Sequence, residues 1–197
     1  TPTMQRVTLG GDELADFPPN MESAHIKLML PTGGRDLATF RKQLETGSKD
    51  LDRRTYTVRH HRPEAGEIDI DFVVHEGGGP ACSWALSAKP GDFVGVGGPG
   101  PVKKPVEGAD WYLFGADPSA LPAAAAALEA LPDDAVGHAV FEITRDDDIQ
   151  PMSAPPGIQI HWMVHEDPHK SSKQQLAFFR TLDWLGGTAG IFVAGES

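Results

Sequence analysis

The sequence predicts a β + α/β protein, a small antiparallel β-barrel followed by a parallel-sheet domain. Three observations predict it. Short alternating or β-branched runs, punctuated by Gly, Pro and Asp, fill residues 1–104. A Gly/Pro-rich stretch, Gly97–Pro105, then reads as a linker. Beyond it strand-like and helical runs alternate, which calls for a parallel sheet with helices on its faces.

Thr3–Leu9, His25–Leu30, Arg54–Arg59, Ile68–His75 and Phe93–Val96 are the barrel strands, separated by turns such as Pro31-Thr32-Gly33-Gly34 and Lys89-Pro90-Gly91-Asp92. Ile70, Phe72 and Val74 alternate onto one face as core. The helical run in this half is Pro80–Ala88, with proline in its first turn. In the second half Trp111–Gly115, Gly137–Arg145, Ile158–Val164 and Ile191–Ala194 read as strands. Leu121–Leu131 and Gln174–Leu185 read as helices, the first capped by Asp117 or Ser119. The domains are thus expected at 1–104 and 105–197.

Composition is that of a globular chain, 40% hydrophobic and 23% charged over 197 residues, and no apolar run nears the length of a membrane helix. No signal-peptide pattern stands at Thr1, where the chain begins abruptly, and its single cysteine excludes an internal disulfide and suits a reducing cytoplasm. Net charge is −11 and uneven: residues 1–104 hold 13 Lys/Arg against 14 Asp/Glu, residues 105–197 hold 4 against 14. A nucleic-acid partner, which needs a basic patch, is not expected.

Two segments carry chemistry. In Arg54-Thr55-Tyr56-Thr57-Val58-Arg59, strand alternation sets Arg54, Tyr56 and Val58 on one face and Thr55, Thr57 and Arg59 on the other. One face then offers a guanidinium and an aromatic ring. Gly79-Pro80-Ala81-Cys82-Ser83-Trp84 adds a turn whose backbone amides open a helix, a positive dipole end suited to phosphate. A cation, a ring and a set of amides are what a flavin dinucleotide needs. The bland alternatives are an edge-strand Arg and Tyr with no ligand, and an ordinary glycine-rich turn. Trp84 packs under the cofactor or in the core, and Cys82 is more simply a small packing residue. Gly115–Pro122, which contains Asp117, lies between strand and helix where a nicotinamide dinucleotide would rest its pyrophosphate. Arg145 ends a strand where it could meet a 2′-phosphate, but Asp146, Asp147 and Asp148 follow and oppose it. His161, His165 and His169 recur every fourth residue. Their spacing fits neither the strand nor Pro168, so a scattered set is favoured over a metal face.

The ordered set of segments resembles the siderophore-interacting, FAD-binding proteins of the ferredoxin-reductase-like superfamily, the cytoplasmic ferric-siderophore reductases. Met4-Gln5-Arg6-Val7-Thr8-Leu9-Gly10, the Arg54–Arg59 run, Ile68–His75, Gly79-Pro80-Ala81, Lys89-Pro90-Gly91-Asp92, Gly98-Pro99-Gly100, Ala120-Leu121-Pro122-Ala123 and Ala194-Gly195-Glu196 carry the likeness from end to end. Cys82 departs from it, since serine is commoner there.

The resemblance implies that 1–104 binds FAD and 105–197 binds NAD(P)H. Arg54 would pair with the pyrophosphate, Tyr56 would lie along the flavin, and Thr57 would bond near N5. Asp71, Phe72, Val73 and His75 would line the adenosine side, with His75 equally readable as a surface histidine. Gly79, Pro80, Ala81 and Cys82 would supply amides, and Asp117, Arg145, Gly195 and Glu196 would meet the nicotinamide nucleotide. It also implies a further helix and a cationic tail beyond Ser197. Arg41, Lys42, Lys49, Lys103 and Lys104 are candidates to attract an anionic ferric siderophore. No protein-bound metal and no residue acting as acid or base is expected, and a monomer is. The alternatives are a flavin reductase or ferredoxin-dependent enzyme on the same fold, or a siderophore-binding flavoprotein without turnover.

Overall fold

A computed structural model describes residues 1–31, 36–167 and 172–195. The Thr32-Gly33-Gly34 turn, His169, Lys170 and Glu196 lie outside the described residues. The chain forms two compact units, Gln5–Pro101 and Thr1–Met4 together with the chain from Val102 onward.

The Gln5–Pro101 unit holds two three-stranded sheets sharing one core. β2 (His25–Leu30) is the centre of one, flanked antiparallel by β3 (Asp52–Thr57) and β6 (Gly95–Gly97). β5 (Glu67–Val73) is the centre of the other, between β1 (Met4–Gly10) and β4 (His60–Arg62). Alternation explains the core: Ile26, Leu28 and Leu30 point inward from β2, and Ile68, Ile70 and Phe72 from β5, all buried.

The strand predicted over Arg54–Arg59 runs instead over Asp52–Thr57. The reason is a corner. The Val58 amide bonds to Ala24 O at 2.9 Å, whereas the next amide, that of Arg59, bonds to Asp69 O at 2.8 Å. Adjacent residues thus belong to different sheets, and alternation stops at Thr57. Arg59 is buried rather than turned to the outer strand face.

Helix α1 (Leu37–Glu45) was not expected from the sequence; the Asp36 carboxylate caps it by accepting the Thr39 amide at 3.0 Å, and Phe40 anchors it on Phe93 with rings 5.2 Å apart. Helix α2 (Pro80–Ser87) stands where expected. Gly98–Gly100 is not linker, because the Gly100 amide bonds to His25 O at 2.8 Å. A Cβ on Gly100 would sit 2.1 Å from the His25 ring, so only glycine fits.

The second unit is a four-stranded parallel sheet, ordered β10 (Ala189–Ala194), β7 (Trp111–Ala116), β8 (Val136–Ile143) and β9 (Gly157–Val164). Helix α3 (Leu121–Glu129) is buried from Leu121 through Leu128, which is why its alanine run is apolar all round. Helix α4 spans only Gln174–Phe179, shorter than its apolar pattern suggests, and Trp184 and Leu185 beyond it are exposed. A Cβ on Gly115 would lie 2.8 Å from the Phe179 ring, so this glycine lets α4 seat on the sheet. Gln175 fastens the same helix, donating through Nε2 to Ala116 O at 2.7 Å and Val140 O at 3.2 Å.

Asp146 and Asp147 are exposed, as a charge run should be, but Asp148 is not. Its carboxylate accepts the Thr3 amide at 2.9 Å and the Thr3 hydroxyl at 2.6 Å. Burial pushes its pKa up, the Thr3 bonds outweigh that, and the carboxyl settles below its usual range. No helix among the described residues is long and apolar enough to cross a membrane.

Candidate functional site

In the antiparallel register Arg54 faces Leu28 and Tyr56 faces Ile26, so both project to the inner side of the β3–β2 pair. Tyr56 packs on the core, its ring centroid 4.4 Å from that of Phe72. Arg54 stands near the end of the row with its side chain 46% exposed. Among the described residues its partners are local: Nη1 donates to Arg53 O at 2.9 Å, and Nη2 lies 3.7 Å from the Asp52 carboxylate on the same face. An ion pair this open to water is weak, so the guanidinium can exchange its partner for a phosphate. Thr57 lies on the other face, opposite His25.

Phe72 also lies 5.9 Å from Trp84 on α2. This brings the two chemistry-bearing segments to one place in the fold, since β3 and α2 share the same β5 ring. At α2, Gly79 is the N-cap in extended backbone and Pro80 is the first helical residue. The first intrahelical bond is Ser83 N to Gly79 O, so the Ala81 and Cys82 amides precede it. Gly79 is exposed, and a Cβ there would meet nothing within 4 Å. Gly78 is the opposite case: its Cβ would lie 2.5 Å from Cys82 Sγ. The sequence reading passed over Gly78, and the run of three glycines at 77–79 was the signal that could have found it.

Several expected site residues do different work. Phe72 is fully buried and supports Tyr56 and Trp84 from behind. Asp71 is buried and committed to guanidinia: Arg6 holds it through two bonds of 2.7 and 2.8 Å, and Arg59 Nε lies 4.0 Å away. Cys82 is buried with Sγ 3.9 Å from His75 O, a packing role for its side chain. Val73 is half-buried and His75 exposed, beyond the end of β5. Of the cations considered for an anionic substrate, Arg41 pairs with Glu13 at 2.6 Å, and Lys42, Lys49, Lys103 and Lys104 are exposed.

Next to Asp71 on β5, Asp69 accepts two bonds from Arg62 at 2.7 Å and one from Thr8 at 2.8 Å, with His60 Nδ1 3.0 Å away. The Arg62 bonds outweigh burial and hold the Asp69 carboxyl well below the usual carboxylate range; the same pairing raises Arg62. This charged face of β1–β5–β4 fixes the strand that carries Phe72.

In the second unit the chain runs β7, β8, β9 to one side and returns with β10 on the other, so the strand order reverses between β7 and β10. Ligands of open parallel sheets bind at the carboxyl ends of such a pair. Asp117 follows β7 and Gly195 follows β10, and a Cβ on Gly195 would lie 2.8 Å from Asp117 Oδ2. Asp117 accepts the Ala120 amide at 2.9 Å and the Ser119 hydroxyl at 2.7 Å; Ala120 itself is the N-cap of α3, so neither Asp117 nor Ser119 caps the helix with its side chain as expected. Arg145, exposed past β8, lies 4.0 Å from Asp147. His161 faces His138 across β8–β9 rather than His165. Burial, then the charge of His138, pushes the His161 pKa down.

Two antiparallel sheets sharing a core, then a parallel sheet with a switch point, define a ferredoxin-reductase-like flavin and nucleotide fold. At 14% identity and a TM-score of 0.62, the cytochrome b5 reductase domain of Ulva prolifera nitrate reductase shares that fold over 100% of this chain and 82% of its own. Residues 1–103 match the siderophore-interacting FAD-binding domain and residues 109–197 match the siderophore-interacting protein family. The chain belongs to the siderophore-interacting, FAD-binding family. It is 35% identical over 200 residues to the ferric vibriobactin reductase ViuB of Vibrio cholerae, covering 98% of this chain and 73% of that one. It is 37% identical to the siderophore-interacting protein SipS from Aeromonas hydrophila, with a TM-score of 0.82 over 100% of this chain and 75% of that one.

Proposed function

We propose that this protein reduces ferric iron held by a siderophore, with NAD(P)H as donor and FAD as carrier, in the cytoplasm. The observation that supports it best is the pairing of Arg54 and Tyr56 on one strand face with the open amides at Gly79, tied through Phe72. The donor set suits FAD: one exposed guanidinium, one supported ring, and a helix N-terminus above which a ligand meets no Cβ.

Arg54 would hold the pyrophosphate, the Ala81 and Cys82 amides would bond a second phosphate oxygen set, Tyr56 would lie along the flavin, and Thr57, on the other face at the strand's end, would bond near N5. FAD held there would supply the chemistry that links a two-electron hydride donor to one-electron acceptors. The two electrons of one NAD(P)H thus reduce two ferric ions to ferrous. Oxygen-donor chelators hold the ferrous ion weakly, so reduction releases it. Asp117 and Gly195 place the donor nucleotide at the β7/β10 switch point. No side chain need act as acid or base.

The test is anaerobic. The purified protein should be yellow and release FAD on denaturation. NADH or NADPH should bleach it, and a ferric siderophore should restore the colour. Bleaching without recovery on any ferric chelate would favour a flavin reductase with another acceptor. No bleaching would favour a binding protein without turnover.

A further inference from the structure

The His138–His161 pair is used by no part of the proposed reaction. The two rings stand on adjacent parallel strands, two residues apart in register, because Val140 is the Cα partner of His161 and His138 pairs with Gln159. Strand alternation puts His138 and Val140 on the same face of β8 as His161 on β9, the face on which α4 lies. Phe178 of α4 covers the His161 ring, with centroids 4.6 Å apart. Both histidines are half-buried, so solvent reaches them.

His138 Nδ1 and His161 Nε2 are 3.4 Å apart. With one ring nitrogen protonated the pair is a hydrogen bond at the long end of the range. It also matches another arrangement. Two imidazole nitrogens at about 2.0–2.1 Å from one tetrahedral ion are separated by about 3.3–3.4 Å. The two rings also present unlike nitrogens, which leaves His138 Nε2 and His161 Nδ1 to hydrogen-bond outward, as ligating histidines do.

We infer that His138 and His161 together chelate one divalent ion of the borderline class, Zn(II), Cu(II) or Ni(II). Imidazole suits these ions, and neutral rings are required. Among the described residues no third His, Cys, Asp or Glu joins the pair, so the two imidazoles are the ligands assigned here. The site does not depend on the flavin reading.

Zn(II) alone, titrated calorimetrically into the full chain, should show one saturable equivalent. His138→Gln and His161→Gln, which keep size and polarity, should each weaken it at least tenfold. His165→Gln should leave it unchanged. Cu(II) electron paramagnetic resonance should show two nitrogen ligands in the wild type and one in each variant. Unaltered Zn(II) affinity in both variants, or no saturable equivalent in the wild type, would overturn the inference. Near-ultraviolet circular dichroism of the Gln variants separates lost ligands from lost fold, and a loss of affinity that accompanies unfolding counts against it.

Discussion

The Tyr56 and Phe72 rings lie 4.4 Å apart at an interplanar angle of 44°, one half-exposed and the other wholly buried. Phe72 thus fixes the depth at which Tyr56 stands without meeting a ligand itself. Phe72→Ala should cost about 3–5 kcal/mol of stability, the usual range for a buried phenylalanine. It should also loosen FAD retention, because Tyr56 and Trp84 both lose their backing. Phe72→Leu should recover most of the stability but only part of the flavin affinity. Urea midpoints and flavin titration on the same samples check both.

Arg54→Ala should leave the urea midpoint almost unchanged, since the side chain is exposed, and weaken FAD by about one to two decades. A charge-assisted bond to phosphate is worth about 1.5–3 kcal/mol. Asp52→Asn should act oppositely, tightening FAD roughly two- to fivefold by freeing the guanidinium from its weak local partner. Arg59→Ala should behave as a core variant, losing about 1–3 kcal/mol because Asp71 keeps only Arg6. Equal flavin losses in Arg54→Ala and Arg59→Ala at equal stability would contradict this division of roles.

Much of this was legible because the alternation on β2 and β5 is strict. Ile26, Leu28, Ile70 and Phe72 announce the core, and Arg54 and Tyr56 share a face because β3 stays regular up to Thr57. Arg59 was not legible, because the corner at Val58 is made by two amides bonding to different sheets, and no local residue type marks it. Nor were the partners of Asp69 and Asp71. An alternating acid reads as solvent-facing, and only the β1–β5–β4 order brings Arg6 and Arg62 beside them. Helix α1 carries a readable cap in Asp36 and Thr39, but its polar composition hides the single anchoring Phe40.

Gly78 and Gly79 should respond differently to one added methyl. Gly79→Ala meets open space at an ordinary φ of −70°, so its fold should be unchanged. FAD affinity should nonetheless fall at least several-fold, because the methyl occupies the approach to the α2 amides. Gly78→Ala collides with Cys82 and should lower the thermal midpoint instead. Unchanged flavin affinity in Gly79→Ala would remove the phosphate role from this turn.

Asp69 should govern part of the acid limb of stability. Its folded pKa is depressed by Arg62, so its contribution is complete above the unfolded value of about 3.9 and is lost as pH falls through the folded one. Asp69→Asn should therefore be less stable than the wild type at neutral pH, and the gap should close as pH drops below about 4. Denaturant midpoints at a series of pH values check the sign. A gap that widens in acid would show that the pair is not what holds Asp69.

The electron donor follows from charge. A 2′-phosphate needs cations, and residues 105–197 hold only Arg145, Lys170, Lys173 and Arg180. Among the described ones Arg145 alone stands just past a strand end of the parallel sheet, exposed and 4.0 Å from Asp147, with Asp146 exposed beside it. Like charge near a phosphate raises the cost of binding it, while the adenosine 2′-hydroxyl of NADH meets no such penalty. NADH should therefore serve at least as well as NADPH. The ratio of kcat/KM for the two donors, measured in the wild type and in Arg145→Ala, decides it. A strong NADPH preference that collapses in the variant would make Arg145 the specificity residue. A ratio near one that the variant leaves in place would assign Arg145 to solvent.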